Sequence, residues 1–144
     1  MVIAIFGESC TGKSTLADML AGRLGAKIST GKDYLRLAKN ENEAKTAFTK
    51  LLDEAINGDH IIYVIAEQEL LGLVPEKAVR VLVTAELDTI KERFAKRMNG
   101  YLPPPVAQML ERKHGCFDSQ LHDIAYCAEK DDPAQICEKI AAMI

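Results

Sequence analysis

Residues 7–14 read Gly7-Glu8-Ser9-Cys10-Thr11-Gly12-Lys13-Ser14, and Thr15 follows. The stretch fits G-x-x-x-x-G-K-[ST] at every fixed position, a pattern in which successive backbone N–H groups wrap a phosphate. Gly7 and Gly12 permit backbone conformations that a Cβ would hinder. Lys13 has the reach to touch β- and γ-phosphate oxygens, and the Ser14 hydroxyl suits one position on Mg²⁺. The flanks agree with this reading. Val2 to Phe6 is a continuous apolar run that enters the loop as a strand, and Leu16, Met19, Leu20 and Leu24 recur at helical spacing beyond it until Gly25 supplies a stop. Strand, loop and helix in that order place an anion at a helix N-terminus, where the partial positive charge favours it. Gly7, Glu8, Ser9, Cys10, Thr11, Gly12, Lys13, Ser14 and Thr15 are therefore the expected phosphate contacts of a bound nucleotide, with Mg²⁺ beside them.

Outward from the loop, short β-branched runs alternate with helical stretches, with no repeat, low-complexity tract or linker between them. Ala26 to Ser29 reads as a short strand. Asp33 to Lys39 and Glu41 to Ile56 read as helical, the second with Ala44, Phe48, Leu51 and Ala55 on one face and Asn40 with Glu43 as its cap. His60 to Ala66 and Val79 to Thr84 are apolar enough for central parallel strands covered on both faces. Leu87, Ile90, Phe94 and Met98 form a helical stripe, Ile124 to Cys127 reads as a fifth strand, and Asp132 and Pro133 open a C-terminal helix carrying Ile136, Ile140 and Ile144. Between the stripe and the fifth strand, Asn99-Gly100-Tyr101-Leu102-Pro103-Pro104-Pro105 reads as a hinge and stiff turn, followed by a helix with Val106, Met109, Leu110, Arg112 and Lys113. The alternation predicts an α/β domain.

The 144 residues carry 18 Lys plus Arg against 21 Asp plus Glu, a net charge of -3, with 48% hydrophobic residues. A chain of this length buries roughly 70% of its unfolded surface, enough for one core. Evenly mixed charge argues against coating a nucleic acid polymer or an anionic membrane. No apolar run approaches bilayer length, and Met1 to Phe6 lacks the flanks of a signal peptide, so a soluble, cytoplasmic protein is expected. Cys10, Cys116, Cys127 and Cys137 stand too far apart for a zinc motif, and free thiols are expected. A thiol at Cys10, beside Lys13 and the loop dipoles, is a candidate for redox control, although an x position of this loop accepts many residues.

With the loop, the segment Asp33-Tyr34-Leu35-Arg36, the apolar run before Glu67, and Glu92-Arg93 with Arg97, the sequence resembles the P-loop small-molecule kinases, which include adenylate, cytidylate and shikimate kinases. The resemblance implies a three-layer α/β/α fold with five parallel strands in the order 2-3-1-4-5 and a short lid. It implies one domain over residues 1–144, with an acceptor-binding segment at about 33–59 and a lid at about 97–118. It also implies an enzyme, an ATP-dependent phosphotransferase that moves the γ-phosphoryl group of Mg-ATP to a small-molecule or nucleotide acceptor. Lys13 and Ser14 carry over directly as phosphate and Mg²⁺ residues.

The other candidates rest on position and residue type. Asp33, past the second strand, lies at the carboxyl edge where open α/β sheets bind ligands, and suits orientation or deprotonation of the acceptor hydroxyl. It equally suits the start of a helix. Arg36, three residues on, suits an anionic acceptor or simply the solvent. Glu67 stands where the third strand of such kinases ends in Asp; it reaches a metal-bound water or opens the next loop. Arg93 and Arg97, spaced i, i+4, project together, either toward a transferring phosphoryl group or as a solvated face. Arg112 is a lesser candidate of the same kind. Asp131-Asp132-Pro133-Ala134 lies where related kinases pack adenine, and reads equally as a helix cap. The competing function is a nucleotide-binding regulatory module or slow NTPase without a small acceptor, favoured by Glu67 in place of Asp and by the compressed acceptor segment.

Overall fold

A computed structural model describes all residues, Met1–Ile144. The strands are β1 (Val2–Phe6), β2 (Lys27–Thr30), β3 (Ile61–Ile65), β4 (Val79–Thr84) and β5 (Ile124–Cys127). The helices are α1 (Lys13–Leu24), α2 (Glu41–Ala55), α3 (Leu87–Arg97), α4 (Pro104–Lys113) and α5 (Pro133–Ala142). All strand pairs are parallel, in the order β2-β3-β1-β4-β5, as expected. No helix is long and apolar enough to cross a membrane.

The central strand explains the layering. Every residue of β1 is buried, and alternate side chains feed opposite faces of the sheet. Ile3 and Ile5 pack with Leu16 and Leu20 of α1 and Ile136 and Ile140 of α5. Val2, Ala4 and Phe6 pack on the other face with Phe48 and Leu52 of α2, Tyr34, Leu70 and Phe117. A smaller cluster of Cys10, Ala85, Ile90 and Leu110 holds α3 and α4 over the end of the sheet. Because β1 lies between β3 and β4, the chain leaves the sheet to opposite sides around it, and the cleft at its carboxyl end is where such sheets place ligands.

The caps act where the sequence puts them, but the buried face of α2 carries Leu52 in place of the expected Leu51, which is exposed. Asn40 Oδ1 accepts the Glu43 N–H at 2.8 Å and caps α2. Gly25, at φ 68°, ends α1 and donates its N–H to the Ala21 carbonyl at 2.8 Å. Asn99 and Gly100 both take positive φ after α3, and Pro104 starts α4. The segment expected as a helix from Asp33 is a 3₁₀ turn, Asp33–Leu37. A second such turn, Gln68–Leu73, follows β3 without a sequence signal that announced it. The first is pinned from below: Tyr34 stacks on Phe48 at 5.5 Å between ring centroids, and Phe48 meets Tyr63 edge-on at 4.9 Å.

Candidate active site

The loop of residues 7–12 links β1 to α1. Gly7 donates to the Ile65 carbonyl at 3.2 Å, and a Cβ there would stand 2.1 Å from the Val83 carbonyl oxygen, so only glycine lets the chain pass between β3 and β4. Gly12 begins α1 at φ 99° with no side chain capping the first turn. The N–H groups of that turn therefore face outward without an internal partner. Leaving the tyrosines aside, Thr11 and Lys13 are the only buried residues that are not apolar. The Thr11 hydroxyl donates to the Glu8 carbonyl at 2.8 Å, and Lys13 Nζ donates to the same oxygen. Burial pushes the Lys13 pKa down to about 8, with the Arg97 charge adding to the effect against the opposing pull of Cys10 and Glu8.

A cleft in two lobes lies across this loop. One lobe, about 330 Å³, is lined by Ser9, Lys13, Ser14, Thr30, Gly31, Glu67 and Arg97 among others. The other, about 440 Å³, is lined by Thr15, Arg93, Lys96, Arg97, Tyr126 and Ala128, and the lobes share Cys10, Gly12, Thr15 and Arg97. The exposed Ser14 hydroxyl and the Glu67 carboxylate thus face one space with Lys13 and Arg97. Glu67 also pairs with Lys32 at 3.7 Å, a loose and exposed contact.

The remaining predicted residues separate. Arg93 Nη1 donates to the Cys10 carbonyl at 3.1 Å, so this guanidinium braces the loop from the second lobe. Cys10, a non-glycine residue at φ 63°, is held in its left-handed conformation beneath that contact. Asp33 Oδ2 accepts the Thr30 N–H at 3.1 Å, and neither Asp33 nor Arg36 lines either lobe. Asp131 and Asp132 accept the backbone N–H groups of Cys127 at 2.9 Å and Ala134 at 3.0 Å. Both are consumed in local bonds, and Ala128, just upstream, is the residue of that region that reaches the cleft. Lys32, Lys96, Tyr126 and Ala128 carry no periodic or motif signal and became visible only in three dimensions. So did a contact between the loop and the segment that follows α4: Glu8 accepts hydrogen bonds from His114 Nδ1 and the Gly115 N–H, each at 3.1 Å.

A five-stranded parallel sheet in this order, with a glycine-lysine loop feeding its first helix, is the fold of the P-loop small-molecule kinases. No protein-family model matches the chain, and no curated protein matches it in sequence. Solved structures do match it over nearly its whole length. A shikimate kinase from Acinetobacter baumannii, solved with shikimate, is 15% identical with a TM-score of 0.65, over 99% of this chain and 91% of that one. An unliganded sugar kinase from Janibacter is 16% identical with a TM-score of 0.65, over 99% and 92%. The YorR protein of Bacillus subtilis, solved with phosphorylated GDP, is 24% identical with a TM-score of 0.64, over 99% and 95%.

Proposed function

We propose that the protein is a phosphotransferase that uses Mg-ATP to phosphorylate a small, hydroxyl-bearing acceptor. The observation that carries this reading is the meeting of Lys13, Ser14, Glu67 and Arg97 in one lobe of a cleft that continues across the phosphate loop. The uncapped first turn of α1 and the buried ammonium of Lys13 are suited to a polyphosphate, since both offer donors without an internal acceptor of matching charge. When bound, the nucleotide supplies the transferable phosphoryl group.

The chain's own residues divide the work. Backbone N–H groups from Glu8 to Ser14 hold the phosphates, and Lys13 leaves the Glu8 carbonyl to reach their outer oxygens. Ser14 would hold magnesium directly and Glu67 through water. Arg97, shared by both lobes, neutralises charge that grows on the transferring group, while Arg93 keeps the loop in shape. Thr30, Gly31 and Glu67 form the acceptor wall. The proton-handling role that the sequence favours for Asp33 passes to Glu67 in this reading, because Asp33 is committed to Thr30 and holds the turn that carries the wall. The sugar, shikimate and nucleotide ligands or names of the structural neighbours support an acceptor that is a small metabolite or nucleotide.

The test is incubation with Mg²⁺ and γ-labelled ATP in a fractionated small-metabolite extract. Label in a new phosphorylated metabolite is the expected result and names the acceptor class. Label only in inorganic phosphate, across all fractions, would favour the regulatory module instead.

A further inference from the structure

Residues 7–15 contain a single carboxylate, Glu8, in a loop otherwise suited to anions. A carboxylate there opposes phosphate. Yet Glu8 lines neither lobe of the cleft, although Ser9, Cys10 and Gly12 do. Its side chain is 11% exposed. Oε1 accepts from His114 Nδ1 and Oε2 from the Gly115 N–H, both at 3.1 Å and both more than a hundred residues along the chain. The main-chain carbonyl of the same residue accepts Lys13 Nζ and the Thr11 hydroxyl. One residue therefore carries the end of the lid on its side chain and the phosphate-binding lysine on its backbone.

The lid root around Glu8 is a docked unit. Gln68 Nε2 donates to the Cys116 carbonyl at 2.6 Å, and the Phe117 ring packs on Phe6 at 5.8 Å between centroids. Gly115 takes φ 79°, which turns its N–H toward the loop at a position where a side chain would be strained. Two donors on one carboxylate hold it in its turned-away position as long as they stay in place.

We propose that Glu8 is a positioning residue that couples lid seating to nucleotide affinity: with His114 and Gly115 in place its carboxylate is held out of the phosphate cradle, and with the lid root lifted the freed carboxylate opposes an incoming triphosphate. This rests on the nucleotide-binding reading above and adds to it a regulation of the same site. By linkage, a triphosphate that binds better with the lid seated also holds the lid down.

The experiment measures the affinity of the full chain for the magnesium complex of β,γ-imido-ATP by titration calorimetry, in the wild type, His114→Ala, Glu8→Gln and the double variant. His114→Ala should weaken binding by roughly threefold to tenfold, the scale of one added like charge near a screened site. Glu8→Gln, which lacks the charge, should bind at least as tightly as the wild type, and the double variant should return to the level of Glu8→Gln. A residue that merely braces the lid gives the opposite pattern: Glu8→Gln weakens binding and the double variant is weaker still, which overturns the proposal. A second measurement needs no substitution. Amide exchange at Gly115 in the wild type should slow when nucleotide is added, and unchanged exchange despite binding overturns the coupling alone. Failure of the wild type to bind any nucleotide overturns the kinase reading and the coupling with it.

Discussion

Burial brings Lys13 to titrate near physiological pH in the free cleft, and phosphate should reverse this, which makes its proposed role measurable. Burial holds its pKa at about 8, against 10.5 for an ordinary lysine. Phosphate oxygens around the ammonium favour the charged form and restore an ordinary or higher pKa in the complex. Between pH 7 and pH 9 the charged fraction of the free site falls from about nine tenths to about one tenth, so the apparent Kd for the triphosphate should rise about tenfold. Over the same window binding should take up a proton, approaching one per site at pH 9, while the terminal phosphate of the nucleotide is already ionised. Calorimetry in two buffers of different ionisation enthalpy reads both quantities. Lys13→Arg, whose guanidinium does not titrate there, should lose the pH dependence. Stability of the free protein has the opposite sign. The unfolded chain binds the extra proton between about 8 and 10.5, so the Lys13 contribution to stability rises with pH across that interval. A flat Kd from pH 7 to pH 9 with no proton uptake would refute the argument, because it would mean that a charged Lys13 is not required where the triphosphate sits.

The other expectations are simpler. Glu67→Gln should lower turnover by about a hundredfold with little change in nucleotide Kd, whereas Asp33→Asn should affect turnover far less; the reverse order in a label-transfer assay would return the proton-handling role to Asp33. Gly7→Ala forces a Cβ onto the Val83 carbonyl, and a large drop in melting temperature without nucleotide present is expected, with an unchanged melt refuting the close approach. Phe48→Ala removes the ring that joins Tyr34 to Tyr63 and should cost about 3–5 kcal/mol in denaturant unfolding. A cost below about 1 kcal/mol would show that the site collapses around the lost ring.

What the sequence made legible was decided by period and by backbone chemistry. The loop from Gly7 to Ser14 could be read because its requirements are local: two glycines, a lysine and a hydroxyl at fixed spacing serve one phosphate whatever surrounds them. Strand order followed from the resemblance, and the caps at Asn40, Gly25 and Asp132 followed from rules that act within four residues. The acceptor side obeys no such rule. Asp33 and Glu67 look alike in a sequence, each a carboxylate just past a strand, and only the turn after β2 separates them: it bends tightly enough for Asp33 to reach back to the Thr30 N–H, while β3 runs straight into the cleft and leaves Glu67 on its wall.

The same distinction governs the arginines of α3. Arg93 and Arg97 share an i, i+4 spacing that projects them together, and both line one lobe. Their different contacts come from the loop beneath them, since Cys10 in a left-handed conformation presents its carbonyl to Arg93 and leaves Arg97 as the arginine that faces both lobes. After α4 the partner of Glu8 is a histidine and a main-chain N–H, and a backbone donor leaves no trace in residue identity. Contacts of that kind join parts of the chain more than a hundred residues apart, and the proposed coupling rests on them. A variant of His114 that changes nucleotide affinity in the wild-type loop and has no effect beside Glu8→Gln would show that the information lies in the pair and in neither residue separately.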